Sequence, residues 1–157
     1  GSPASRIRGR CSTWAGGYKG RPSRTERVSG DKTGPMSDAA FDWPQRKHPV
    51  DFDTFAAIDM RVGCVVGVDP FPEARTPAWK LRVDFGPGVG VLATSAQVTN
   101  YSADELLGRQ VVGAINLGTR RIAGFRSEFL LLGAVQGDGT VLLVAADGDP
   151  RLGSSIA

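Results

Sequence analysis

The sequence predicts an all-β protein, a five-stranded barrel with one short helix between strands three and four and an extension at each end. Three observations lead there. Short apolar runs recur along the chain, several of them alternating with polar residues. Stretches rich in glycine and proline separate these runs, and a single capped helical stretch interrupts the series after its third member.

Trp43-Pro44-Gln45-Arg46-Lys47-His48-Pro49 reads as an extended, proline-bounded lead-in, after which Asp51 or Asp53 suits the cap of a short helical turn carrying Phe52, Phe55 and Ala56. Ile58–Val68 is the first strand. Ile58, Met60, Val62, Cys64, Val66 and Val68 alternate with Asp59, Arg61, Gly63, Val65 and Gly67, which predicts one buried face. Gly63 and Gly67 would let this strand bend or bulge, as small barrels require. Asp69–Ala78 carries Pro70, Pro72 and Pro77 and so forms a rigid loop. In the second strand Trp79, Leu81, Val83 and Phe85 share one face, with Lys80, Arg82 and Asp84 on the other. Gly86-Pro87-Gly88 turns the chain into a third strand, Val89–Thr94; these glycines follow a strand but open no helix, so they read as a turn and not as a phosphate-binding loop. Ser95–Tyr101 is a loop, and Ser102–Leu107 is a capped helix closed by Gly108. Val111–Leu117, Phe129–Val135 and Val141–Ala145 complete the strands, the last two joined at Asp138-Gly139. Three strands, a helix and two further strands is the order of an OB-fold.

Composition bounds the function. At 157 residues the chain fits one domain, 36–157, preceded by a tail, 1–35, that is rich in Gly, Ser, Arg and Thr and predicted disordered. Gly1-Ser2 has the look of an expression remnant, Met36 reads as a native start, and the tail as an upstream extension or a basic arm. Residues 1–35 hold eight Lys/Arg against two Asp/Glu, whereas 36–157 hold eleven against fourteen. The basic balance of +3 therefore belongs to the tail, and nucleic-acid binding by the folded part would need a local patch. No apolar run nears the roughly 18–20 residues of a membrane span. Cys11 and Cys64 form no metal-binding pair, and Cys64 reads as a small core residue. His48 is the sole histidine. No metal, cofactor or catalytic constellation is predicted, and a reducing, cytoplasmic compartment fits.

The connector Gly118–Glu128 is the most informative stretch. It packs Arg120, Arg121 and Arg126 around Phe125 and breaks the backbone at Gly118 and Gly124. Cations beside a stackable ring suit an anionic or nucleic-acid partner; the alternative is a solvated loop whose arginines pair with acids such as Glu128. In an OB-fold the ligand surface includes the loops between strands one and two and between strands four and five. Those are Pro70–Ala78, with Glu73 and Arg75, and Gly118–Glu128. Arg75, Arg121 and Phe125 are thus expected to converge on one site.

Several segments also resemble a known family: Phe71-Pro-Glu-Ala-Arg-Thr-Pro-Ala-Trp-Lys-Leu-Arg-Val-Asp-Phe-Gly86, Thr94-Ser-Ala-Gln-Val-Thr99, Gly108 to Asn116, Arg120-Arg-Ile-Ala-Gly-Phe-Arg-Ser-Glu128 and Leu132-Gly133. The chain from about Phe52 to Ile156 is similar to the CsaA family, small proteins related to the tRNA-binding domains attached to some aminoacyl-tRNA synthetases. The resemblance implies an OB-fold homodimer with export-related chaperone activity, a surface related to the tRNA-binding one, and no catalysis. It implies a ligand surface of Glu73, Arg75, Lys80, Ser95, Gln97, Asn116, Arg121, Phe125, Ser127 and Glu128. Gly118-Thr119 stands where relatives tend to have prolines, and Phe129-Leu130 where the tRNA-binding relatives tend to have Gly-Met, a departure that favours peptide over tRNA.

Two function classes follow. One is a homodimer binding unfolded or pre-export polypeptide, with Phe71, Phe125 and aliphatic side chains exposed beside polar loops. The other is a tRNA-binding protein without a chaperone role, its arginines on phosphates and Phe125 on an unpaired base. Dimerisation is also expected on physical grounds, because a barrel this small leaves strand edges to be covered.

Overall fold

The computed structural model describes residues 42–157; the tail 1–35 lies outside the described residues. Asp51 caps α1 (Phe52–Ala56) by accepting from the Thr54 amide at 2.7 Å. There follow β1 (Met60–Pro70), β2 (Trp79–Asp84), β3 (Val91–Ala96), α2 (Ala103–Leu106), β4 (Gln110–Ala114), β5 (Arg120–Ile122), β6 (Phe125–Ser127), β7 (Leu130–Leu131), β8 (Gly133–Val135) and β9 (Val141–Leu143). The main sheet is antiparallel in the order β3-β2-β1-β4-β7, and β5–β6 and β8–β9 are separate hairpins. Curled on itself, this sheet is a nearly closed OB-fold barrel. Ser102 and Glu105 cap α2 reciprocally, as their spacing predicts.

The core is built on the predicted face of β2. Leu81, Val83 and Phe85 are fully buried with Val65, Val98, Leu106, Val111 and Phe129. The Phe85 and Phe129 rings meet edge to face, 5.0 Å apart at 85°. Glycines make room for them: a Cβ on Gly63 would stand 2.5 Å from Val83 Cγ1, and one on Gly113 would stand 2.7 Å from Phe129 Cδ2.

The strand alternation of β1 is corrected here. Its core-facing residues at the centre are Gly63 and Val65, not Val62 and Cys64, although those two are also buried. A bulge between Val65 and Gly67 then shifts the register, so that Val68 joins Val65 against the core. Both faces are thus covered along the middle of the strand, and simple alternation misassigns the core side.

Other boundaries move as well. Residues 89 and 90 belong to the turn, whose Gly90 carbonyl accepts from Phe85, and the third strand runs on through Ser95 and Ala96. Phe129–Val135 is not one buried strand: it splits into β7 and β8, and Leu130 and Val135 are exposed. The fourth strand stops at Ala114, and the last stops at Leu143. The C-terminal segment is tied down by bonds between the backbones of Val62, Gly153 and Ser154 and between Ile156 and Met60, covering part of the β1 edge within the chain itself.

Candidate ligand-binding cleft

β1 ends at Pro70 and delivers Phe71 into the barrel wall, where it is only 4% exposed. The expectation that Phe71 is exposed is therefore corrected. The loop returns through Glu73 and Arg75 to β2, whose pairing places Lys80 opposite Ser95 on the face away from the core. Lys80 Nζ lies 4.5 Å from the centre of the Phe71 ring and 5.7 Å from that of Phe125, and pairs with Glu73 at 3.3 Å. Its own backbone amide, and then Lys80, hold the Glu73 carboxyl below its usual pKa. The two rings are 5.6 Å apart and inclined at 60°. A cation held between two aromatic rings orders all three side chains.

The second wall is the β5–β6 hairpin. Its two-residue turn places Ala123 at φ 45° and Gly124 at φ 81°, the positive pair that a tight hairpin turn needs. Pairing sets Ile122 opposite Phe125 and Arg120 opposite Ser127, with Arg121 opposite Arg126. Because side chains alternate along a strand, Ile122 and Phe125 share the face turned to the barrel, and Arg121 and Arg126 point from the other. Phe71, Ala74, Arg75, Thr76, Ala78, Ser95, Gln97, Ile122 and Ala123 line a cleft of about 450 Å³.

A second cleft, of about 340 Å³, lies on the core side of β3. It is lined by Ala96, Val98, Leu130, Leu131, Leu132, Gly133, Val135, Val141 and Leu143, and it shares Ser95 and Gln97 with the first.

The structure brings Glu73, Arg75, Lys80, Ser95, Gln97 and Phe125 together around the first cleft. The other expected residues lie elsewhere. Arg121 is on the opposite face of the hairpin, so the predicted convergence of Arg75, Arg121 and Phe125 does not hold. Asn116 accepts from the Asp59 amide at 2.8 Å and donates to the Ala57 carbonyl at 2.7 Å, which pins the link between α1 and β1 to the barrel. Ser127 is buried against Thr94, hydroxyl to hydroxyl at 2.9 Å, and Thr94 also donates to the Phe129 carbonyl. Glu128 accepts from the Ala93 amide with its carboxylate, and its own amide donates to the Ala93 carbonyl. Ser127 and Glu128 therefore stitch β3 to the chain entering β7. The acid Glu128 meets Arg126 at 3.8 Å, not Arg121. Sequence reasoning missed Ile122 and Ala123, although placing the turn at Ala123-Gly124 makes Ile122 the partner of Phe125. It also missed the aliphatic wall Leu130–Leu132, hidden by reading that run as a buried strand.

Residues 60–155 match the family described as "Putative tRNA binding domain". The chain belongs to this family. Within the tRNA-binding-domain family it is CsaA-like. The CsaA chaperone protein from Picrophilus torridus is 42% identical, with a TM-score of 0.66, over 69% of this chain and all of that one. Chaperone CsaA from Bacillus anthracis is 38% identical, with a TM-score of 0.67, over 70% of this chain and all of that one. A methionine–tRNA ligase of Thermococcus kodakarensis is 36% identical over 107 residues, 68% of this tRNA-binding-domain chain but 14% of the ligase. The chain thus spans about one-seventh of the curated ligases it matches.

Proposed function

We propose that this chain is a non-catalytic, cytoplasmic, homodimeric binding protein that holds unfolded or pre-export polypeptides, with tRNA as a second ligand. One observation carries the reading: two largely apolar clefts meet at Ser95 and Gln97, with an aromatic–cation cluster at one rim. Apolar walls studded with serine, threonine and glutamine suit an extended polypeptide of varied sequence. The name chaperone carried by the two CsaA structures agrees with it.

A second reading, a tRNA-binding protein without a chaperone role, is favoured by the exposed arginines of the β5–β6 hairpin and by the family description. Arg121 and Arg126, on one face of the hairpin, would contact phosphates and give salt-sensitive affinity. Titrating the full chain with an unfolded preprotein and with tRNA, each across a salt series, separates the two. Preprotein binding that persists at high salt supports the chaperone reading; binding of tRNA alone overturns it.

A further inference from the structure

β3 is the open end of the barrel sheet. Among the described residues it pairs with β2 on one side only, and no strand ladder joins it to β7 on the other. That outer edge is bridged at Ala93, by the amide and carboxylate of Glu128. Backbone groups that point to one edge recur every second residue along a strand, so the groups of Ser95 share the direction of those of Ala93, and the continuing chain brings Gln97 next. The Gln97 amide and carbonyl make no backbone hydrogen bond among the described residues. Where the ladder would continue there is instead the second cleft, between Ser95–Val98 and Leu130–Gly133.

The two clefts also lie on opposite faces of this edge. Ser95 sits on the Lys80 side, with Phe71 and Phe125 beyond it, whereas Ala96 and Val98 pack toward the core. An extended chain laid along β3 would send successive side chains alternately to these faces.

We propose that the outer edge of β3 from Ser95 to Gln97 takes up an extended polypeptide as an added strand, its successive aliphatic side chains filling the two clefts in turn. This rests on the polypeptide-binding reading and names how the client is held. The chemistry selects the occupant. A strand edge offers donors and acceptors in turn, which an extended polypeptide backbone answers with acceptors and donors. A phosphodiester backbone offers acceptors only. Arg75, which forms no ion pair among the described residues, stands at the end of the outer cleft, so the occupant's apolar residues are expected to be flanked by an acidic one. Such binding reads adjacent apolar residues, not a fixed sequence.

The test uses three versions of one serine-rich peptide with a central pair of adjacent valines and a glutamate at one end, titrated against the full chain. One version is unmodified; the others carry N-methyl groups on two alternate amides, in opposite registers. N-methylation in one register removes two hydrogen bonds to β3, and affinity should fall about tenfold or more; in the other register the methyl groups face solvent, and affinity should stay within about threefold. Equal affinity for both methylated peptides overturns strand addition and leaves polypeptide binding standing. Failure of the unmodified peptide and of an unfolded preprotein to bind overturns both. Gln97→Pro, which deletes the edge amide, should weaken the unmodified peptide several-fold while melting stays unchanged. Release of monomers as the peptide is added would show that a second copy occupies the edge, which also overturns the proposal.

Discussion

Substituting Gly63 by alanine tests the packing at the centre of the barrel. An added Cβ would lie 2.5 Å from Val83 Cγ1 and 2.8 Å from Phe85 Cδ1 and Cε1. Relaxed carbon contacts are about 3.5–4.0 Å, so the new methyl must gain roughly an ångström on two sides. Neither wall can swing into solvent, because Val83 and Phe85 are both fully buried, and Phe85 is itself held against Phe129. Overpacking of this kind costs about 1–3 kcal/mol. Alanine also restricts the unfolded chain, which returns about 0.4–1 kcal/mol. The net expectation is a destabilisation of about 1–2 kcal/mol, read as a lower urea midpoint with an unchanged slope. Trp79, packed against the core, reports the transition by fluorescence. Combining Gly63→Ala with Val83→Ala should be less damaging than the sum of the two, with a coupling of about 0.5 kcal/mol or more, since the second change vacates the space the first requires. A Gly63→Ala protein as stable as the parent would refute this account of the β1 face, and with it the assignment of Gly63 and Val65 to the core side.

Leu81→Ala should cost about 2–5 kcal/mol through lost burial and the cavity left behind, whereas Arg82→Ala, on the solvent side of the same strand, should cost less than about 0.5 kcal/mol; equal losses in urea unfolding would mean the β2 register is wrong. Thr94→Val leaves the Ser127 hydroxyl and the Phe129 carbonyl without their partner in the β3–β7 seam and should destabilise by about 1–3 kcal/mol, with melting as the readout. Arg121→Ala should leave melting unchanged and reduce the salt slope of tRNA binding by roughly 1, while Phe125→Ala should weaken peptide with that slope little altered. The Glu105 carboxyl is held below its usual pKa by the Ser102 amide and hydroxyl, so its contribution is present above the unfolded-state value and is lost as pH falls through the lowered folded-state value. The gap in melting temperature between the parent and Glu105→Gln should therefore close on acidification.

The sequence made the barrel legible because its strongest signals are local. Alternation in β2 fixed the core face correctly, and the Ser102–Glu105 spacing fixed the helix between strands three and four. It misled where burial comes from two sides. β1 is covered on both faces, so period two carries no sign, and the decisive clue is where the neighbouring strands leave room only for glycine. For the cleft, Glu73, Arg75, Lys80, Ser95, Gln97 and Phe125 are drawn together by two loops and a register that no single segment encodes. Ser127, Glu128 and Asn116 look like ligand residues because they stand in polar motifs beside the site, yet their hydrogen bonds go to the barrel seam and to the link between α1 and β1.

The β5–β6 hairpin then resolves an apparent conflict between the two functional readings. A loop with three arginines and one phenylalanine looks, as a string, like one mixed site that must choose between phosphate and peptide. Folding into a two-stranded ribbon separates the residues by parity: Ile122 and Phe125 turn to the cleft, with Arg120 on their face of the ribbon, and Arg121 and Arg126 turn away. Of the cations at the cleft, Lys80 is already engaged by Glu73 and by both rings, whereas Arg75 forms no ion pair among the described residues. A phosphate at Lys80 must displace Glu73, whereas an apolar side chain need not. Among the described residues the outward arginines meet one such competitor, Glu128, which reaches Arg126 from the seam. Polypeptide and RNA are thus proposed to address opposite faces of one hairpin, so the saturating valine-pair peptide should leave the affinity for tRNA within about twofold of its value in the free protein, on the arithmetic that sites without coupling do not shift each other. Mutual exclusion in a competition titration would place both ligands in the same cleft and return Arg121 and Arg126 to the solvated surface.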